Sequence, residues 1–454
     1  MYFIELLPVF MFLALAMLLF SGYPVAFVLG GVGLFFGFIG IYYEVFSLIE
    51  FFNILSRIWG GVCENLILVA IPMFIFMGTM LEKSGVAKDL LYALQIMLRR
   101  VPGGLALSVT IMGTIMAATT GIIGASVVMM TLLALPVMLE RKYDKSLATG
   151  TIAASGTLGI LIPPSIMLVI MADLLAISVG TLFIASVFPG LLLAILYFIY
   201  LFLRTRFNPS LAPPLPDEIG PAGAKEKLKL IFSSFLPPIF LIILVLGSIF
   251  AGFATPTEAA GVGALGSILL AIFKKRLKFK VLKEVTERSA LTGAMIFGIF
   301  VGATAFSYVF RSLGGDDLIH HFVSEIGFGP WGILFIMMGL VFLLGFFFDW
   351  VEITLIVLPL FAPIMKTLDF AGHVAPDLII PWIAVLLAVN LQTSFLTPPF
   401  GFALFYMKGV APSNVKIQTI YKGIIPFVAL QLLGLALVIK FPEIALWLPG
   451  RILD

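Results

Sequence analysis

The chain has 454 residues, 61% of them hydrophobic and only 11% charged, with a formal net charge of +3. A mean hydropathy of +1.17 lies far above what a soluble globular chain keeps in water, so this is an integral membrane protein. Solidly apolar runs recur from Phe3 to Phe441, which excludes a signal peptide before a soluble domain, and also a β-barrel, whose strands alternate polar and apolar residues.

Hydropathy with Gly and Pro punctuation predicts spans near 3–20, 24–43 and 66–82. A hairpin-like pair follows at 104–118 and 126–139, then an interrupted span at 146–177 and a further span at 180–203. After the polar stretch "RTRFNPSLAPPLPDEIGPAGAKEKLK" the pattern restarts. Spans are predicted near 230–252, 257–273 and 292–311, with a second hairpin pair at 331–345 and 353–366, an interrupted span at 380–408 and a last span at 417–440. Landmarks keep their order at a shift of about 230 residues. Pro24 answers Pro256, Gly85 answers Gly314 and Gly315, "LALPVML" answers "IVLPLFAPIM", and "IPPS" answers "TPPFG". The stretches 45–60 and 277–290 mix apolar and charged residues at helical spacing and are expected to be interfacial arms.

Charge orients the two halves. If the spans alternate, five basic residues (Arg57, Arg311, Lys366, Lys440 and Arg451) fall on one side, and the other 22 of the 27 Lys and Arg fall opposite. Loops rich in Lys and Arg stay cytoplasmic, so both termini are expected to be periplasmic. The basic loop at 83–100 then corresponds to the acidic 316–325 stretch, and the acidic 44–64 stretch to the basic 274–288 one, so the repeats have inverted topology. The fold class expected is an all-α membrane protein of two inverted repeats, each with a re-entrant hairpin and a broken span.

Residues 1–100 form the first scaffold part with its arm, and 101–203 the first half of a transport domain, with hairpin 104–139 and broken helix 146–177. A cytoplasmic linker covers 204–229. The second scaffold part is 230–328 with arm 277–290, and the second half of the transport domain is 329–454, with hairpin 331–366 and broken helix 380–408.

Polar chemistry concentrates where prolines break the spans. Pro163 and Pro164 strand the carbonyls of Gly159 and Ile160, and Pro398 and Pro399 strand those of Ser394 and Phe395. In lipid such groups must find partners. Around the first break, Thr119, Thr120, Ser126, Ser155, Thr157 and Ser165 supply hydroxyls, and Gly121, Gly124, Gly156 and Gly159 admit close backbones. Hydroxyls and freed carbonyls suit a hard monovalent cation, although small polar residues also serve plain helix packing. Site one is therefore Thr119, Thr120, Gly121, Ser126, Ser155, Gly156, Thr157, Gly159 and Pro163.

Site two is Asp349, Glu352, Gln392, Thr393, Ser394, Thr397 and Pro398. An ionisable group at this depth is costly and marks function. Asp349 is either a sodium ligand or an acceptor behind the ligands that holds the hairpin turn, with proton carriage as a competing role. Glu352 either joins it or faces the aqueous rim. Asp173 and Glu258, near span ends, read as solvated or helix-capping. No Lys or Arg lies within either break, so an anionic substrate is expected to be held by half-helix N-termini and by the bound cations. Ser165, Asn390, Phe400 and Gly401 are the candidate substrate contacts.

Other chemistries find no support. The single cysteine, Cys63, excludes an internal disulfide and is expected to pack among helices. His320, His321 and His373 read as loop residues rather than metal ligands or hydrolase groups, and neither H-E-x-x-H nor a G-x-x-x-x-G-K-[ST] loop occurs. A channel would need a continuous polar stripe, whereas polarity here is confined to two clusters.

The stretches "LVAIPMFIFMGTMLEKSG", "ASGTLGILIPPSIMLV", "ATPTEAAGVGALG", "FFDWVEITLIVLPLFAPI" and "TSFLTPPFGFALFY" resemble the large membrane subunit, DctM type, of tripartite ATP-independent periplasmic (TRAP) transporters. The resemblance covers nearly the whole chain. It implies import of organic acids on a sodium gradient, with Na+ as coupling ion and no other cofactor, by an elevator-type movement of the transport domain against a fixed scaffold. It implies residence in the bacterial inner membrane. The partners implied are a small four-helix membrane subunit (DctQ type) and a periplasmic substrate-binding protein (DctP type), besides the bilayer and a small carboxylate, with no nucleic acid. Neither protein partner is expected to be fused, since Met1 opens directly on the first span. The family's ion-site regions map onto Thr119–Ser126 with Ser155–Pro164, and onto Asp349 with Thr393–Pro399. Many members carry Ser-Gly-Ser at the first turn, where this chain reads Thr120-Gly121-Ile122, so the resemblance implies a backbone carbonyl in place of one side-chain ligand. The "DWVEI" and "CENLILVAIP" stretches are similar to a branch assigned to 2-oxo acids, mannitol or chloroaromatic compounds.

Overall fold

The long apolar runs all become helices. The structure, a computed structural model, describes residues 3–121, 123–214, 220, 223–370, 372–399 and 401–452, without the side chains of 3, 118–120, 224, 320, 322–324, 326 and 452. The first half consists of α1 (Leu7–Phe20), α2 (Val25–Tyr42), α3 (Leu48–Ile58), α4 (Ala70–Lys83), α5 (Val86–Met97), α6 (Gly104–Thr120), α7 (Ile123–Glu140), α8 (Lys145–Thr157), α9 (Ile166–Leu175) and α10 (Val179–Phe207). The second consists of α11 (Ala224–Phe250), α12 (Pro256–Phe273), α13 (Phe279–Ser312), α14 (Gly315–Ile326), α15 (Pro330–Leu344), α16 (Trp350–Met365), α17 (Ile379–Leu396), α18 (Phe402–Val410) and α19 (Ile417–Lys440). There is no strand among the described residues, and nine of their helices are long and apolar enough to cross a membrane. The chain is a multi-pass, all-helical membrane protein.

Local sequence explains the boundaries. Thr255 caps α12, with Pro256 at its first position and Glu258 closing a capping box, which gives Glu258 the capping role read from sequence. Ser47 and Glu50 start α3 in the same way. The stretch 277–290 departs from expectation. It is no separate arm, because Phe279–Ser312 is one 34-residue helix, and no Gly or Pro lies between Phe279 and Thr292 to break it. Its counterpart α3 does end, in a π-turn at Trp59–Cys63 containing Gly60 and Gly61. Cys63, expected among helices, is exposed at the end of that turn.

The two halves interlock by exchange. Helix α2 packs on α13 and its counterpart α12 on α4; α8 packs on α19 and its counterpart α17 on α10. Likewise α7 meets α18 while α16 meets α9, and α5 meets α11 while α14 meets α1. Each of these cross-half contacts has a twin with the repeats swapped, as two copies related by a pseudo-twofold axis require. At the α8–α19 crossing the backbones nearly touch: a Cβ on Gly150 would lie 2.1 Å from the Gly423 carbonyl oxygen, so only glycine fits.

Burial separates rim from interior. Only 22% of the apolar window of α11 is buried, against 89% for the span ending at Leu396, so α11 belongs to a lipid-facing rim and α17 to the centre. Ion pairs tie the first half to the second at one end: Lys83 to Glu284 (3.1 Å), Arg288 to Glu82 (3.4 Å), and Asp89 to Arg276 (3.0 Å) and Lys274.

Candidate ion and substrate site

Both proline breaks are real; the first is wholly buried, whereas the second runs from buried Leu396 through half-buried Thr397 and Pro398 to exposed Pro399. Helix α8 stops at Thr157, passes through a 3-10 turn at Leu158–Ile160, and resumes as α9 at Ile166. Helix α17 stops at Leu396 and resumes as α18 at Phe402. The Pro163–Pro164 and Pro398–Pro399 bonds are cis. Hydroxyls and amides attend to the stranded carbonyls. Ser165 donates to the Ile160 carbonyl at 2.6 Å, and the Thr397 N–H donates to the Ser394 carbonyl at 3.1 Å.

In the first half, Ser155 donates to Thr110 on α6 at 3.3 Å, and Gly113 and Gly156 let α6 and α7 approach α8 closely. Ser126, Ser155, Thr157, Gly121, Gly156, Gly159 and Pro163 are all buried. Gly121 holds φ +60° at the hairpin tip, beside Ile166 at the start of α9, so tip and break are in contact. The side chains of Thr119 and Thr120 lie outside the described residues.

In the second half, Thr393, Ser394 and Thr397 are brought together, each hydroxyl donating to a carbonyl of its own helix. Their oxygens keep lone pairs free to face a cation, as does Thr157, which donates to Ala154. Gly345, on the hairpin, sits against Ser394. Asp349 accepts from the Trp350 N–H at 2.8 Å and caps α16, while Glu352 accepts from the Asp349 N–H at 3.2 Å. Both carboxylates therefore hold the turn. Asn390 donates to the Met338 carbonyl at 2.7 Å, tying α17 to α15. Gly401, at φ +47°, opens α18, and Phe400 lies outside the described residues. Asp173 accepts from Asn65 at 2.7 Å.

The two breaks meet. Gln392 Nε2 donates to Thr157 Oγ1 at 3.4 Å, joining the ends of α17 and α8 across the pseudo-twofold axis. Gln392 is fully buried, and its Oε1 has no hydrogen-bond partner. A buried, unpaired carbonyl oxygen is costly. The same amide reaches the Thr157 hydroxyl through its nitrogen, and carbonyl and hydroxyl oxygens of these kinds suit a hard monovalent cation.

Both hairpin tips also reach one cavity of about 340 Å³. The first tip contributes Ile123, Gly124 and Ala125, the second Asp349 and Trp350, and α18 contributes Tyr406. The facing wall comes from two other helices: Thr79 and Glu82 of α4, Arg288 and Thr292 of α13. Sequence reading missed Tyr406 and this wall because the wall lies outside the breaks. Arg288 and Thr292, one turn apart ahead of an apolar span, were the available signal.

A family model described as "Tripartite ATP-independent periplasmic transporter, DctM component" matches residues 12–444. The chain is 30% identical to the C4-dicarboxylate TRAP transporter large permease protein DctM of Pseudomonas aeruginosa, over 85% of this chain and 87% of that protein. It is 27% identical to the sialic acid TRAP transporter large permease protein SiaM of Vibrio cholerae, over 95% of this chain and 96% of that one. Its fold is similar to the crystal structure of the Alcanivorax borkumensis YdaH transporter, with a TM-score of 0.59 at 15% identity over 87% and 89% of the two chains. The chain belongs to the DctM component family of tripartite ATP-independent periplasmic transporters, and so is a transporter permease rather than an enzyme.

Proposed function

We propose that this permease imports small organic acids with sodium as the coupling ion, taking substrate from a periplasmic binding protein and working beside a small DctQ-type membrane subunit. The observation that supports the sodium reading is the meeting of the two breaks, where the Gln392 amide donates to the Thr157 hydroxyl and leaves its own Oε1 unpaired. In this reading Thr157, Thr393, Ser394 and Thr397 supply oxygens, while Asp349 and Glu352 fix the tip from behind. Substrate occupies the cavity between tips and scaffold. With the basic loops cytoplasmic and both termini periplasmic, the Glu82–Arg288 end is the cytoplasmic one, and the transport domain rises as a unit along α13 to receive substrate. Relatives named for a C4-dicarboxylate and for sialic acid share a carboxylate, which supports that class.

The test is uptake into proteoliposomes holding the chain with its two partners, with succinate, pyruvate and sialic acid as labelled probes. Uptake is expected only with an inward sodium gradient. The Asp349–Glu352 pair favours one competing reading, proton coupling. Full uptake on a proton gradient alone would establish that reading instead.

A further inference from the structure

A second cavity, of about 610 Å³, lies at the opposite end of the same scaffold helix. Its wall on α13 is Thr304, Ser307, Tyr308 and Arg311, residues three and four apart and therefore on one helical face. Arg57, in the last turn of α3, closes it on one side, and Leu355 and Pro359 of α16 face it from the transport domain. Arg57 stacks over the Tyr308 ring at 5.1 Å from its centroid, and Asn53 donates to the Tyr308 hydroxyl at 3.1 Å, so the guanidinium is held in place. Arg311 donates to the Pro359 carbonyl, and its one carboxylate neighbour, Asp316, is 3.8 Å away. Among the described residues no carboxylate lies within ion-pair distance of Arg57. If the spans alternate, this end holds five of the 27 Lys and Arg, and two of those five converge on one cavity.

We infer that the Arg57–Arg311 cavity is an anion-receiving site, distinct from the cavity at the hairpin tips, where a substrate carboxylate is held on the outer face before the transport domain takes it up. This rests on the organic-acid reading above. Two guanidiniums with a hydroxyl-lined wall match a carboxylate by charge and by bidentate hydrogen bonding. The volume suits a small organic acid. The opposite cavity differs, because there Arg288 is already paired with Glu82.

The test places a thiol in the cavity with Ser307→Cys in a Cys63→Ser background, using the full chain in uncharged detergent. Modification rates are compared for an anionic ethylsulfonate and a cationic trimethylammonium methanethiosulfonate reagent. The expected result is at least roughly tenfold preference for the sulfonate, abolished by Arg57→Gln with Arg311→Gln and retained in Arg57→Lys. Should Arg311→Gln fail to fold, Arg57→Gln alone should reduce the preference several-fold. Succinate is expected to slow the sulfonate reaction. No charge preference, or one indifferent to both arginines, overturns the inference. So does protection by phosphatidylglycerol but not by succinate, which would assign the arginines to a lipid headgroup. Sodium-driven uptake separates the two readings: intact uptake with unchanged KM in Arg57→Gln sinks the outer site alone, whereas absence of sodium-driven uptake in the unmodified protein sinks the transport reading.

Discussion

The two hairpin tips solve one problem by different means. The first, at Gly121, contains no carboxylate, and packs by glycine: Gly121 against Ile166, Gly124 against the Tyr406 ring and Gly156 against Val127. The second, at residues 345–349, uses Asp349 and Glu352 in a reciprocal capping box on α16. Duplication has preserved the backbone device, a hairpin tip meeting a broken helix, while the electrostatics have diverged. Only the second tip brings negative charge to the N-terminus of its returning helix. The carboxylates accept from backbone amides of their own turn, whereas the hydroxyls of the break donate to carbonyls of their own helix, so the two groups can be altered separately.

The sharpest test of that separation is Gln392→Leu, which removes the oxygen at the junction without touching either tip. Losing a contact to a charged group costs about 1.5–3 kcal/mol, so apparent sodium affinity for uptake should fall about 10- to 100-fold. Thermal stability should change little, because the oxygen lost has no partner in the protein and the one bond lost with it, from Nε2 to Thr157, is long at 3.4 Å. Unchanged sodium dependence would move the ion away from the junction.

Gly345→Ala probes how the second tip docks. The added Cβ would lie 1.9 Å from Ser394 Oγ, so the hairpin must shift, at a cost of about 1–3 kcal/mol. A lowered melting temperature in detergent is expected, largely restored by Ser394→Gly. An unaltered melting temperature would mean that the tip is not seated on α17.

Much of this was legible in the sequence. The predicted last span at 417–440 coincides with α19, and both double-proline breaks fall where stranded carbonyls required them. Helix periodicity and proline chemistry are local, and local signals survive in a string of letters. The Gln392–Thr157 contact joins residues 235 positions apart, so sequence could nominate both residues without pairing them. Arg57 and Arg311 read as isolated charges for the same reason. The failed arm at 277–290 has a different origin. Amphipathic composition describes a surface, and with no Gly or Pro the helix simply continued into the membrane.

Asp349 separates capping from ion binding at about 1 kcal/mol. Asp349→Ala should lower stability by that order, because the α16 cap is lost, whereas Asp349→Asn keeps a capping oxygen and should leave stability nearly unchanged. A fall in apparent sodium affinity with Asp349→Asn would show that the charge acts on the ion through the turn. Equal sodium affinity in the two proteins would reduce the residue to a cap, making the two tips functionally alike despite their chemistry.

The smallest effect expected concerns the end where the halves are clamped, at Asp89 on α5, outside the spans. Burial pushes its carboxyl up, but hydrogen bonds from Lys274 and Arg276, with their charges, outweigh burial and hold it below the ordinary value of 3.8. A carboxyl whose pKa is lowered by folding stabilises the folded state fully above its unfolded value. That contribution drains away as pH falls through the lowered one. The melting temperature of the full chain should therefore drop below about pH 4, and Asp89→Asn should be less stable at neutral pH yet converge with the parent in acid. The change should be modest, since the Arg276 side chain is 42% exposed and solvent screens the pair. At the other end Arg311 and Asp316 stand 3.8 Å apart, against 3.0 Å for Arg276 and Asp89, so Asp316→Asn should lower the melting temperature at neutral pH less than Asp89→Asn does. Equal losses in the two variants would mean that the pairing is no tighter at one end than at the other, and would remove the electrostatic contrast between the clamped end and the Arg57–Arg311 end.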